Sequence, residues 1–261
     1  MKMKNILKSY IAPASVALFL LVSMVSSCAK DDYYQDGGKS DPKFNGTVLQ
    51  YLQSNAKFDT IVQIVKLAGM EEAFNTEDIT FFAPTDEVIR RTIGLVNAQL
   101  PELRNGLNQR LFDANKDTIK VLSDVPAELW RKYLMRYMMK GKFVSKDFPQ
   151  LDFTLRQLYG GGYYTGYNGD LANIGMVYNS ANGVRYTGYR QLSFSFIPDP
   201  SDYLTFIPTA VASSDIQPTN GVVHVLAVHV GRSNIGEAPI SFYSNYFGIS
   251  DQFTQEVILN K

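Results

Sequence analysis

Apolar residues recur at helical spacing in two parts of the chain. Between Thr47 and Gly69 they fall at positions i, i+3, i+4 and i+7, which predicts a pair of amphipathic helices. Pro126 opens a second helical pattern with one broad apolar stripe, formed by Leu129, Trp130, Tyr133, Leu134, Tyr137 and Met138. These segments are therefore expected to pack against a common core.

Shorter apolar runs predict strands. Residues 79–83 are apolar on both faces, which indicates a central strand that Pro84 ends. Thr85 can cap the helix that follows, with Asp86 and Glu87 in its first turn. Residues 97–125 form a polar stretch, and further strands are expected at 153–159, 184–197, 204–212 and 222–230. Helices first and most strands later predict one α+β domain.

The first 27 residues predict a lipoprotein signal peptide. Three lysines precede the uncharged residues 11–25, a segment too short for a transmembrane helix. Residues 25–28 (VSSC) resemble the bacterial lipobox, in which the cysteine, here Cys28, receives a lipid; an ordinary signal with a stray cysteine is the alternative. Residues 28–43 would then be the lipidated cysteine and a flexible tether of about 20 Å. Lys30-Asp31-Asp32 resembles the signal of surface-exposed outer-membrane lipoproteins in Bacteroidota.

Composition argues against several kinds of chemistry. Twenty-five basic and 25 acidic residues leave no net charge for nucleic-acid binding, and a single cysteine excludes a disulfide framework. His224 and His229 are five residues apart on one predicted strand, so they should point to opposite faces and share no metal. Asp113, Asn115, Asp117 and Asp124 match a calcium loop only in part, because its glycine and glutamate are missing. We expect no metal, no cofactor and no enzymatic activity.

Two motifs then point to a family. Residues 80–86 (TFFAPTD) and 215–226 (DIQPTNGVVHVL) resemble, in this order, the two signature segments of fasciclin (FAS1) domains. The resemblance covers residues 44–230 and implies helices packed on a β-sheet core, here with an enlarged strand and loop insertion. Residues 231–261 would form a tail packed on the domain. Structural roles are expected for the signature residues Phe81, Phe82, Pro84, Thr85, Asn220, Gly221 and His224.

Tyrosines supply the candidate contacts. Seven of the 16 tyrosines lie between residues 159 and 189, among glycine, asparagine and threonine. Such a cluster suits recognition of a protein or sugar, but cross-strand pairing that stabilises a hairpin is an equal alternative. Many fasciclin domains carry a Tyr-His pair implicated in adhesion, which is Tyr137-Met138 here. The candidate contacts are Tyr137, Tyr163, Tyr164, Tyr167 and Tyr189, with Tyr163, Tyr167 and Tyr189 expected on one face.

Taken together, the resemblance implies a lipid-anchored, cell-surface adhesion domain that binds a protein or glycan. One alternative is a structural or accessory subunit of an outer-membrane assembly, such as a glycan-uptake or fimbrial system. A second is an enzyme whose active site the motifs do not reveal.

Overall fold

A computed structural model describes residues 41–228 and 245–261, and the chain from Pro42 onward forms one compact unit. The described residues form seven α-helices: α1 (Val48–Gln53), α2 (Asp59–Leu67), α3 (Glu71–Thr76), α4 (Asp86–Ile93), α5 (Leu107–Asp113), α6 (Ala127–Met135) and α7 (Gln252–Asn260). They also form eight strands: β1 (Ile79–Ala83), β2 (Met138–Lys140), β3 (Gln150–Leu151), β4 (Gly162–Thr165), β5 (Leu171–Tyr178), β6 (Arg190–Phe196), β7 (Ile207–Ile216) and β8 (Gly221–Leu226). The predicted α+β class is confirmed.

The strands form one mixed sheet. Their order is β2-β1-β8-β7-β6-β5-β3, and β4 also pairs with β5. Two pairs are parallel, β1 with β8 and β3 with β5, and the other pairs are antiparallel. Strand β1 lies inside the sheet, and all five of its residues are buried, as the apolar run at 79–83 predicts.

A buried asparagine connects the first helices to the centre of the sheet. The Oδ1 atom of Asn220 accepts a hydrogen bond from the amide of Val48 at 2.8 Å. Its Nδ2 atom donates to the carbonyl oxygens of Phe74 at 3.2 Å and Glu77 at 3.0 Å. One side chain thus supplies partners to the start of α1 and the end of α3, where helices leave backbone groups unpaired.

Gly221, the next residue, permits β8 to approach β1 closely. A Cβ atom at this position would lie 2.5 Å from the carbonyl oxygen of Ile79 and 2.6 Å from a methyl group of Val48. Since one of these neighbours is backbone, a larger residue would force the two strands apart.

Helix α6 carries four residues of the predicted apolar stripe, and the C-terminal segment covers part of it. The helix is shorter than expected, because Tyr137 follows its end and Met138 begins β2, but all six stripe residues are buried. Phe253 of α7 packs its ring against Trp130 and Tyr133, with centroids 5.1 and 5.3 Å apart. Residues 245–261 thus complete the core on this side, whereas residues 231–244 of the expected tail lie outside the described part.

Arg136 binds the C-terminal segment to the domain. Its side chain is only 4% exposed, and its Nε atom pairs with the carboxylate of Asp170 at 2.8 Å. Its other nitrogens donate to the carbonyl oxygen of Gly248 and the side chain of Gln252. The guanidinium group also lies 3.8 Å from the ring centre of Phe196. Charge, hydrogen bonds and ring stacking therefore converge on one buried cation.

The strand predicted at 153–159 is wrong, because the chain turns there instead. The Asp152 carboxylate accepts hydrogen bonds from the amides of Thr154 at 2.8 Å and Leu155 at 3.0 Å. Such local bonds compete with a strand ladder and end β3 at Leu151.

Other boundaries also differ from the pattern. The strand expected at 184–197 starts at Arg190, because a tight turn with Tyr186 at a φ of 65° precedes it. The strand expected at 204–212 is β7, shifted to 207–216, and β8 ends at Leu226. Strands β2 to β5 were not predicted, and the polar stretch at 97–125 contains α5, whose Leu107 and Leu111 are buried.

Replacement of Asn220 by alanine should strongly destabilise the domain. The change removes the hydrogen-bond partner of one amide and two carbonyl groups, two of these bonds being buried and the third partly buried, and we expect a loss of at least about 3 kcal/mol. Urea unfolding of the purified variant measures this loss. The exposed Asn45 gives the matched control, because Asn45→Ala should change stability by less than about 0.5 kcal/mol. Similar losses for both variants would contradict the role of Asn220.

Candidate ligand-binding surface

The signature residues lie in the interior. Phe81, Phe82 and Pro84 are buried, and the ring of Phe82 stacks on Phe194 at 4.4 Å and on His224 at 5.0 Å. These side chains contribute packing and are inaccessible to a ligand.

Thr85 does not cap α4 as expected, whereas Asp86 caps a different helix. Thr85 occupies the N-cap position of α4, but its hydroxyl makes no capping bond and is buried without a partner among the residues that the structure describes. The Asp86 carboxylate instead accepts hydrogen bonds from the amides of Thr60 and Ile61, at 2.9 and 3.2 Å, and so caps α2. Burial raises the pKa of Asp86, and these two bonds oppose the shift.

His224 is fully buried and its ring nitrogens are both paired. Nε2 lies 3.0 Å from the carbonyl oxygen of Phe143, and Nδ1 accepts a hydrogen bond from the amide of Asp215 at 3.3 Å. Because a carbonyl oxygen can only accept, Nε2 carries the proton and the ring is neutral. Burial lowers the pKa of His224 from its ordinary value. His229 lies outside the described residues.

The tyrosine cluster separates into several groups. Tyr164 packs against Phe148 on the core side, with ring centroids 5.4 Å apart. Tyr167 follows β4 and donates its hydroxyl to the Glu77 carboxylate. Tyr189, which is 61% exposed, lies just before the first residue of β6. Ser195, near the other end of β6, lies in the same cross-strand row as Tyr163. Six residues of strand separate these two ends by about 20 Å.

Tyr163 and Tyr189 therefore do not belong to one contact patch. The β4–β5 ladder contains no tyrosine pair, because Tyr163 faces Asn173 and Tyr164 faces Ala172, whereas Tyr159 and Tyr186 meet edge-on at 5.7 Å outside the strands.

Tyr137 is also misassigned as a contact, because it is completely buried. Its hydroxyl accepts a hydrogen bond from the amide of Gly248 at 2.7 Å. Burial raises the pKa of this hydroxyl above its ordinary value, so it stays protonated. The C-terminal segment thus occupies the surface that Tyr137 would otherwise present.

Tyr163 instead belongs to an exposed aromatic surface with residues that the sequence pattern did not single out. Its ring meets Tyr203 edge-on at 5.4 Å and Phe206 at 6.3 Å. The guanidinium group of Arg156 lies 4.4 Å from the ring centre of Phe206 and donates to the carbonyl oxygen of Leu204. We call Tyr163, Tyr203, Phe206, Arg156 and Leu204 the Tyr163 surface.

The exposed parts of the Tyr163 surface combine apolar faces with polar tips. Tyr163, Tyr203 and Leu204 are 41%, 51% and 50% exposed. Burial of part of the Tyr163 ring raises the pKa of its hydroxyl, with a further contribution from Tyr203, so the hydroxyl is a neutral donor and acceptor. Two adjacent tyrosine rings present a large contact area at low entropic cost.

A buried polar strip lies on the same face of the sheet. Asn173 is opposite Tyr163 in the ladder, and Ser195 is opposite Asn173. Asn173, Ser193 and Ser195 are completely buried, and Asn173 Oδ1 and both serine hydroxyls have no hydrogen-bond partner among residues 41–228 and 245–261.

Within residues 41–228 and 245–261, no three His, Asp, Glu or Cys side chains form a group that could hold a metal. Asp124, from the partial calcium template, accepts hydrogen bonds from the amides of Lys120 and Val121. In the same residues, no helix is long and apolar enough to cross a bilayer.

Comparison with known proteins agrees with the two signature motifs. The model of the fasciclin domain family matches residues 56–228, about two-thirds of the chain. A solved FAS1 domain pair from the insect cell adhesion molecule fasciclin I is similar at 16% identity and a TM-score of 0.44. That match covers 80% of this chain and 52% of the insect chain, so this chain spans about half the length of the insect chain. No curated protein matches the sequence.

The buried neutral His224 predicts a pH dependence of stability. Because its folded pKa is below the unfolded value of 6.5, its full contribution is present above pH 6.5 and is lost as pH falls toward the folded pKa. Below pH 6.5 the loss is at most about 1.4 kcal/mol per pH unit. His224→Gln should be less stable at pH 7.5, and the difference between the two proteins in urea unfolding should shrink toward pH 5. A constant difference would show that His224 titrates normally in the folded state.

Proposed function

The chain belongs to the fasciclin domain family, and from this premise we propose that it is a lipid-anchored, cell-surface domain that binds an extracellular protein or glycan. FAS1 domains occur in cell adhesion proteins, which supports an adhesive role. The signature residues of this chain hold the fold together, so its ligand contacts should lie elsewhere on the domain.

The Tyr163 surface is the observation that carries the binding proposal. Protein and sugar recognition both use exposed tyrosine rings, which offer an apolar face and a hydroxyl together. Arg156 adds a cation whose side chain is held against Phe206 and Leu204. The surface is therefore ordered before a ligand arrives, which lowers the entropic cost of binding.

The anchor rests on the sequence, because residues 1–40 lie outside the described part. A cysteine at the end of an apolar leader, with small residues before it, supports lipid attachment at Cys28. The polar residues that follow would hold the domain away from the lipid headgroups. The Lys30-Asp31-Asp32 segment supports placement on the outer face of the outer membrane.

Cys28→Ser should release the protein from the membrane. One acyl chain alone holds a protein only marginally, and lipobox cysteines receive more than one, so the unmodified protein should resist carbonate washing. Fractionation of expressing cells should move the variant to the soluble fraction. A mature protein that stays in the washed membrane despite the change would exclude Cys28 as the anchor.

Tyr163→Ala and Tyr203→Ala should each weaken ligand binding by more than about 1 kcal/mol, as contact residues at interfaces do. An array of glycans and extracellular proteins, probed with residues 29–261, would first identify a binder. Biolayer interferometry would then compare the variants. Tyr189→Ala is the matched control, since this tyrosine is more exposed but lies at the far end of β6.

The control variant should bind like the unmodified domain, and all three variants should melt within a few degrees of it. Equal losses at Tyr163 and Tyr189, or none at Tyr163 and Tyr203, would remove the Tyr163 surface from the proposal without affecting the anchor.

A further inference from the structure

A concave site distinct from the Tyr163 surface lies between the start of β7 and the C-terminal segment. It is a pocket of about 550 Å³, within the range of small-molecule sites. One wall is the start of β7 with Ile207 and Thr209, and another is the segment from Asn245 to Thr254. The start of α5, with Gly106 and Arg110, forms a third wall. We call it the β7–α7 pocket.

Two threonine hydroxyls line the β7–α7 pocket without a hydrogen bond to the described residues. Thr209 and Thr254 are 6% and 8% exposed, and each comes from a different wall. Thr92, which also lines the pocket, is different: its hydroxyl donates to the carbonyl oxygen of Val88 and accepts from the amide of Phe247, both at 2.7 Å. Thr209 and Thr254 therefore keep hydrogen-bonding capacity that Thr92 has used.

The charge at the pocket is neutralised. Arg110 and Asp251 are the charged residues among the described lining residues, and they bind each other. Nη1 of Arg110 lies 2.7 Å from both carboxylate oxygens of Asp251. A charged ligand group would have to compete with this pair, so the pocket favours a neutral one.

Apolar groups complete the lining. Phe206, Ile207, Pro208 and Ile249 all contribute to it. Small-molecule sites typically combine such apolar walls with a few convergent polar groups. The two threonine hydroxyls are among the polar groups that could orient a bound molecule here.

We propose that the β7–α7 pocket binds a neutral amphipathic small molecule, with an apolar body between β7 and α7 and a polar group at the hydroxyls of Thr209 and Thr254. This site is separate from the Tyr163 surface, although Phe206 contributes to both. Binding there would also stabilise the C-terminal segment, because that segment supplies one wall.

N-Phenyl-1-naphthylamine is a suitable probe, because it is neutral and apolar, carries one N–H donor, and fluoresces in apolar surroundings. Titration into residues 29–261, which contain the whole compact unit, should give a saturable increase with one site per chain. The N-methyl analogue lacks the donor and should bind about fivefold more weakly, the value of one neutral hydrogen bond. Absence of saturable binding would overturn the proposal.

Variants of the pocket locate the probe. Thr254→Trp places a large ring in the pocket and should weaken binding at least tenfold. The double change Thr209→Val and Thr254→Val keeps the shape and removes both hydroxyls, so it should abolish the preference for the N–H probe over its N-methyl analogue. It should leave the melting temperature unchanged or higher, because the two hydroxyls make no hydrogen bond to the described residues that the change would remove.

The double valine variant decides the outcome if Thr254→Trp does not fold. A preference for the N–H probe that survives in this variant would show that the threonines do not bind it. Tyr203→Ala is the control for adhesion of the probe to the exposed aromatic surface, and it should leave the titration unchanged; Tyr163 is not used, because its ring meets the pocket residue Phe206. This control also separates failure of the pocket from failure of the Tyr163 surface.

Discussion

The Asn220 side chain joins parts of the chain that are far apart in sequence, since Val48 lies 172 residues before it. Only a side-chain amide offers both the acceptor that Val48 needs and the two donors that Phe74 and Glu77 need. Aspartate would lack the donors, and leucine would lack both. Because Gly221 follows, β8 can then lie against β1 without a Cβ atom between them. The turn that orders the helices therefore also orders the centre of the sheet.

Sequence patterns predicted the parts of the fold in which burial alone decides the structure. Strand β1 and the apolar stripe of α6 are such cases, because the residues of β1 are buried on both faces of the sheet and the apolar residues of α6 are buried in the core. The pattern failed at 153–159, where the Asp152 carboxylate competes for backbone amides, and in β5, where Gly175 and Asn173 obscure the strand. In the candidate site, Tyr163 could be identified by composition. Its partners Tyr203 and Phe206 could not, because a loop some forty residues later brings them to it.

Fold and recognition are carried by different residues in this domain. The signature segments contribute Phe81, Phe82, Asn220 and His224, all at least nine-tenths buried. The Tyr163 surface is built from β4 and the segments before β4 and β7, and the β7–α7 pocket from the starts of β7 and α5 and from the C-terminal segment. Membership of the family therefore constrains the architecture strongly and the ligand weakly. The rigid interior leaves the surface residues free to change without loss of the fold.

Arg136 and Tyr137 make the C-terminal segment part of the core, and this sets where the module ends. The family match stops at residue 228, yet Phe247, Phe253 and Val257 are fully buried against α6 and its neighbours. A fragment cut at the family boundary would leave the rings of Trp130 and Tyr133 bare and Arg136 without the carbonyl group it binds. The smallest transferable module is thus longer than its recognisable signature and extends at least through Val257 of α7.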